Sequence, residues 1–314
     1  MTKPDMTSIR IRLLWHPQPQ FAGYLTAEHE GLGLDAGVDI RTVAPDFVKG
    51  PIEAVLDGDV AFAVASPAHM MESGREDELV FLLAIQQVSA LVYPARRSLG
   101  IERPRDLAGR RIGVWPGRED LELTWMLHRA GLAADAYERV PVGDTVGAML
   151  DGKVDCAQMT TYHELHHLEH GAGTLDDFIL FRAADYGAAL LKDGLVARRD
   201  FVAAHPEVTQ AVVNAVLAGW TKAFHDLDAA ISLTVRLRPD MSRLEQEGQL
   251  GDIRALSLTG ATLSEGLGFP DPRHMEQALK ATAEIEGHAR KPVDGLVDTR
   301  FWAAAPDAVR SRSW

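Results

Sequence analysis

The sequence predicts an α/β protein of two lobes, each a mostly parallel sheet flanked by helices, followed by a helical C-terminal region. Three observations predict it. Strand-like apolar runs alternate with helix-length stretches through the first 95 residues, the alternation restarts near residue 96, and the chain from Phe201 to about Lys291 reads as almost wholly helical.

Taken in order, Ile9 to Trp15 reads as the first strand, and Gln20 to Glu30 as a helix ended by Gly31 and Gly33. VDIRTVA is a second strand, and Pro51 opens a short helix through Leu56. Val60 to Ala65 is a continuous apolar run of the kind buried on both faces of a parallel sheet. LVFLLAIQ and SALVYPA follow as strands. In the second unit, Asp106 to Trp115 is a strand, Asp120 to Ala130 a helix, and ERVPV and DCAQM are strands on either side of a helix from Asp144 to Leu150. A helix from Tyr162 to His170 completes it.

A chain that builds one α/β unit, then a second, then helices is expected to cross to a second lobe and return. Crossings near residues 92–98 and 185–197 divide it into a discontinuous lobe of residues 1–95 with 190–314 and a lobe of residues 96–189. Ligands of open α/β sheets sit beyond the carboxyl ends of the strands. The residues after Trp15, Ala65, Val114 and Met159 are therefore expected to share one cleft.

Bulk properties exclude several classes of partner. The formal net charge of −13 argues against nucleic acid and anionic membrane surfaces. No run reaches the ~18 apolar residues of a membrane-spanning helix, so no transmembrane segment is expected. The single cysteine, Cys156, allows no intrachain disulfide and no complete thiolate metal site. MTKPDMTSIRIRLLW lacks the apolar core of a secretory signal, so the chain as written reads as cytoplasmic. A leader removed upstream would make it periplasmic.

The opening LLWHPQPQFAGYLTAEHEGLGLDAGVDI resembles the start of the thiamine-pyrimidine-precursor binding proteins. Their superfamily includes riboflavin-, formylaminopyrimidine- and alkanesulfonate-binding proteins and the yeast-type thiamine pyrimidine synthase. DGDVAFAVASPAH, DLAGRRIGV, DGKVDCAQMTTYHE, DYGAALLKDGLVARRDF and AGWTKAF continue the resemblance, in order, to about residue 225. It implies a periplasmic-binding-protein type II fold whose lobes close on a small heteroaromatic ligand, usually for an ABC permease. It equally admits a cytoplasmic enzyme acting on a pyrimidine or aromatic acid, because a fold does not fix a function.

Candidate site residues follow from strand ends and from the resemblance. Trp15, Gln18, Gln20 and Tyr24 come after the first strand, where indole and phenol faces stack on a ring and carboxamides supply donors and acceptors. Phe21 and Tyr24 have a competing role as core anchors of the first helix. Ser66 caps a helix that starts at Pro67, and the same position puts it at the pocket. His69 aligns with the histidine that the thiamine pyrimidine synthase is thought to consume. That synthase's pyridoxal-phosphate lysine falls at Ala65 and its cysteine-rich run near GAALLKDG, so no Schiff base forms there and no cofactor is expected. In the enzyme alternative His69 is the acid or base; otherwise it is a hydrogen-bonding residue at the pocket edge.

His163, Glu164 and His167 spell H-E-x-x-H, the zinc-protease signature. At about 100° per residue, His163, His166, His167 and His170 share an arc opposite Leu165 and Leu168, so the histidines are expected to face solvent. No third protein ligand is evident, and no metal site is assigned. The resemblance places Tyr162 and Glu164 at the ligand, whereas Thr161 with Glu164 also spells a capping box. Trp115, with Gly117 and Arg118 after it, is the candidate opposite wall, and Asp185, Tyr186 and Gly187 lie at the second crossing.

Overall fold

The computed structural model describes residues 6–116, 120–288, 295–312 and 314. The elements are β1 (Thr7–Arg12), α1 (Ala22–His29), β2 (Val38–Val43), α2 (Pro51–Leu56), β3 (Phe62–Ala65), α3 (Pro67–Ser73), β4 (Leu79–Leu83) and β5 (Leu91–Arg96). They continue with β6 (Arg111–Val114), α4 (Leu121–Arg129), β7 (Glu138–Pro141), α5 (Thr145–Leu150), β8 (Cys156–Ala157), β9 (Met159–Thr160), α6 (Glu164–Ala172), β10 (Phe178–Phe181) and β11 (Gly194–Arg198). The rest is helical: α7 (Arg199–Ala204), α8 (Pro206–His225), α9 (Leu227–Leu237), α10 (Arg243–Ser257), α11 (Ala261–Ser264), α12 (Pro272–Glu286) and α13 (Arg300–Ala304).

Two sheets form. The first has the order β2-β1-β3-β11-β4, and the second β10-β5-β8-β6-β7 with β9 against β5. The α/β architecture is the expected one, and each sheet is parallel apart from one reversed strand. β11 runs antiparallel to both β3 and β4, and β5 runs antiparallel to β8, β9 and β10. These two are the strands by which the chain enters a sheet from the other one. A strand reached directly from the neighbouring sheet arrives without the crossover helix that a parallel connection requires.

Local chemistry accounts for the element ends. Ser66 caps α3 by accepting from the His69 backbone N–H at 3.2 Å, Pro67 occupies the first helical position, and Gly74 ends the helix with a left-handed φ of 67°. The first strand is shorter than the apolar run suggests: Leu13 and Leu14 are buried but lie beyond its last paired residue, Arg12. Residues 106–110 are not strand, because Pro104–Leu107 forms a 3-10 turn before β6.

One core unites one face of the first sheet with α1, α8, α9 and α10, with Ile11, Phe62, Trp220 and Ile253 among its members. The close approach of α1 and α8 depends on Gly23 and Gly219: a Cβ on Gly219 would overlap the Gly23 carbonyl, and one on Gly23 would overlap the Trp220 indole. A smaller core of Val92, Met149, Met159 and Leu168 fixes α5 and α6 to the second sheet. No helix among the described residues is long and apolar enough to cross a membrane.

Candidate functional site

A cleft of about 840 Å3 opens between the two sheets. One wall comes from the turn after β1, the Pro45–Glu53 loop and α3; the other comes from Trp115 and Pro116 after β6, Gly143, and the β9–α6 connection. Strand ends thus converge on it from both sheets, as expected for open α/β folds.

Of the sequence candidates, Trp15, Gln18, Gln20, His69, Trp115, Tyr162 and Glu164 line this cleft. Trp15 stands at its mouth, 39 % exposed, edge-on to Phe47 with ring centroids 4.9 Å apart and to His16 at 5.3 Å. Phe47 is the sole non-glycine residue with positive φ among the described residues (57°), a conformation that tilts its ring over the mouth at a local backbone cost. Its loop is held by Arg12, which donates to the Ala44 and Lys49 carbonyls and pairs with Asp46 at 2.6 Å. Asp46 also accepts from the Val48 and Lys49 backbone N–H groups, and those bonds first, then Arg12, bring its pKa down to about 2.

Three candidates lie elsewhere. Tyr24 is 1 % exposed and packs edge-to-face on Trp220 in the first core, because α1 turns that side chain inward toward α8. Burial above all, with the nearby Asp193 charge, pushes its phenol well above the ordinary value. Ser66 lies behind the lining and acts through the α3 cap and His69. Tyr186 packs against Phe181 away from the cleft. Gly117 and Arg118 lie outside the described residues.

His69 is held by its cap. Its Nδ1 accepts from the Ser66 backbone N–H at 3.0 Å, and the Ser66 hydroxyl lies 2.8 Å from the same nitrogen. An Nδ1 that accepts leaves the proton of a neutral imidazole on Nε2. Beside it, Glu72 accepts from the Leu121 backbone N–H at 3.1 Å and so reaches from α3 to the start of α4.

The β9–α6 connection corrects two expectations. Glu164 accepts from the backbone N–H of Thr160 at 2.9 Å and from its hydroxyl, so the residue it pairs with is Thr160 and not Thr161. The helix consequently starts at Glu164, and His163, at its N-cap, turns into the cleft wall instead of joining the solvent-facing arc. Burial holds its pKa below the ordinary histidine value, and the neighbouring Glu164 opposes that shift. His166, His167 and His170 are exposed as expected. Among the described residues, no group of three or more His, Cys, Asp or Glu side chains could hold a metal ion.

The fold also adds residues that strand-end reasoning missed. Lys192, on the second crossing, lines the cleft and places its ammonium 4.5 Å from the Trp115 ring centre. Asp193, 4 % exposed, accepts from the side-chain amides of Gln20 and Gln86, each at 2.8 Å. Their signal was a Lys-Asp pair inside an otherwise apolar strand approach, AALLKDGLVA.

Behind the cleft, Glu122 of α4 ties the two crossings together. It accepts from the Tyr93 hydroxyl at 3.1 Å and from the Leu190 backbone N–H at 2.6 Å. Burial pushes its pKa up to about 7, against the lowering influence of Leu190, Ser89, Tyr93 and Lys192.

Residues 18–230 match the family described as NMT1/THI5 like. No curated protein matches the chain. Among solved structures, the ligand-binding component of an ABC-type import system from Staphylococcus aureus aligns with a TM-score of 0.67 at 13% identity, covering 98% of this chain and 100% of that one. A putative periplasmic sulfonate-binding protein, SsuA, from Methylobacillus flagellatus KT aligns with a TM-score of 0.67 at 17% identity, covering 95% and 93%. A Candida albicans gene product described as exhibiting the generic periplasmic binding protein structural fold aligns with a TM-score of 0.68 at 12% identity, covering 94% and 97%. At these identities the likeness is one of fold.

Proposed function

The chain belongs to the NMT1/THI5-like family, and from that premise we propose that it is a binding protein whose lobes, residues 1–95 with 190–314 and residues 96–189, close on one small planar heteroaromatic molecule for delivery to an ABC permease. The observation that carries this reading is Trp15 and Trp115 on facing walls of one cleft. Indoles in the lining offer flat faces on which a ring stacks, and the Lys192 ammonium over the Trp115 ring adds positive charge to that wall. A cleft of about 840 Å3 lies within the usual range for small-molecule sites. A thiamine-pyrimidine precursor or a riboflavin-like ring fits that chemistry. The likeness in fold to the ligand-binding component of an ABC-type import system and to a periplasmic sulfonate-binding protein of an ABC transporter supports the uptake role.

Thermal-shift titration with pyrimidines and flavins, with alkanesulfonates as the contrasting class, tests the reading. A ligand at a hundred times its Kd stabilises by about 2.7 kcal/mol, a shift readily measured. Stabilisation by sulfonates alone would replace the heteroaromatic ligand with a sulfonate.

The second reading is a cytoplasmic enzyme on the same fold with His69 as acid or base. The observation favouring it is that His69 lines the cleft with its Nδ1 held by Ser66, which fixes the orientation of a titratable ring beside the ligand space. Incubation with the bound ring and analysis of products separates the two. Turnover abolished by His69→Ala supports the enzyme, and unchanged ligand recovered after many hours supports the binding protein.

A further inference from the structure

We infer that Gln18 selects for ligands carrying an N–H or O–H donor, because a buried relay fixes its carbonyl oxygen as the acceptor it offers to the cleft. The inference rests on the reading of this cleft as the ligand site.

The relay starts at Asp193. Its Oδ2 is approached by the amides of both Gln20 and Gln86 at 2.8 Å, and an oxygen shared in that way receives from the NH2 end of each. With its NH2 committed, Gln20 must turn its Oε1 toward Gln18, whose Nε2 donates to it at 3.0 Å. The Gln20 backbone N–H is tied in turn to Gln249 Oε1 at 3.3 Å, which holds the turn in register. Of the polar side-chain atoms of Gln18, Oε1 is the one left unpaired by the relay. That oxygen has no partner among the described residues, although the residue lines the cleft and is 2 % exposed. A buried carbonyl without a donor is costly, and a ligand that supplies one recovers the cost.

The sense of selection follows. A ring N–H, an exocyclic amine or a hydroxyl satisfies Gln18, whereas an ether, carboxylate or sulfonate oxygen there would set lone pair against lone pair. The amide cannot flip to accommodate it, because flipping Gln18 would require flipping Gln20, and Asp193 forbids that. The chemical class is therefore a planar ring presenting a donor on the edge nearest the turn after β1.

The experiment measures Kd by calorimetry and thermal shift for matched probes: 4-aminopyrimidine against 4-methoxypyrimidine, and adenine against 6-methoxypurine. For the wild type, the amino member of each pair is expected to bind roughly ten- to a hundredfold more tightly. In Asp193→Asn the acid is replaced by an amide that can present either its NH2 or its oxygen to Gln20, so the relay can reverse, and the preference is expected to fall to less than about threefold. Should that variant fail to fold, the wild-type ratios still decide. Equal binding of amino and methoxy members overturns the role of Gln18 while leaving the heteroaromatic reading intact. No shift with any ring overturns that reading and the inference with it.

Discussion

His166 of α6 meets Asp252 of α10, Nε2 to Oδ2 at 2.6 Å. The two residues belong to different cores: α6 is anchored through Leu168 to the second sheet, and α10 through Leu250 and Ile253 to the first. Close by, His167 Nε2 lies 3.8 Å from Glu245 Oε1 of the same α10, and His163, one turn before His167, enters the cleft wall. Exposed imidazole–carboxylate contacts that solvent and salt reach thus join a helix of one core to a helix of the other at the edge of the cleft.

Asp252→Asn is therefore expected to speed ligand release without changing the fold. Exposed pairs of this kind contribute little, so the change in off-rate should stay within about fivefold and shrink as salt is raised. Stopped-flow tryptophan fluorescence on the wild type and variant at two ionic strengths measures it. An off-rate unchanged at low salt would show that the contact does not hold the lobes.

Glu122 gives a pH dependence of definite sign. Its pKa in the fold, pushed by burial from an ordinary 4.5 to about 7, means that the folded protein holds the proton more tightly than the unfolded chain does. The stability this contributes is complete below pH 4.5 and is lost as pH rises through about 7. Glu122→Gln keeps the shape and removes the titration. Relative to the wild type, the variant should gain about 2–3 kcal/mol between pH 5 and pH 8, read by urea denaturation at both values.

Two aromatic substitutions should separate site from scaffold. Trp15→Ala removes a partly exposed side chain from the cleft mouth, so it should weaken binding of a planar ligand by roughly tenfold or more and change Tm by no more than a few degrees. Tyr24→Phe lies in the core beside Trp220 and should leave affinity unchanged. Titration calorimetry with melting curves on both variants tests the assignment; a loss of affinity in Tyr24→Phe would return that residue to the site.

Gly219→Ala tests the packing that carries the cleft. The added methyl meets the Gly23 carbonyl oxygen and the backbone of Ala27, neither of which can move without shifting α1. Overpacking at a rigid contact costs about 1–3 kcal/mol or more. The variant should melt several degrees lower, and a neutral Tm would show that α1 and α8 slide apart freely.

Much of the molecule is legible in the chain because strand and helix choices are local. The apolar run Phe62–Ala65 can only be a buried strand in this context, Pro51 and Pro67 open helices, and strand ends carry Trp15 and Trp115 to where the cleft forms. His163 was misplaced because helical periodicity assigns faces only inside a helix. Thr160, not Thr161, pairs with Glu164, which moves the first turn and leaves His163 outside the repeat.

Sequence by itself determined which segments become strands and helices and that two α/β units share one chain, since backbone preferences and apolar spacing act over a few residues. Tertiary structure alone decided that β5 and β11 run backward, that Tyr24 faces Trp220, and that Asp193 reaches Gln20 across 173 positions of chain. Those outcomes depend on which surfaces meet once both sheets are built, and that is a property of the closed packing, with no counterpart in any short stretch of residues.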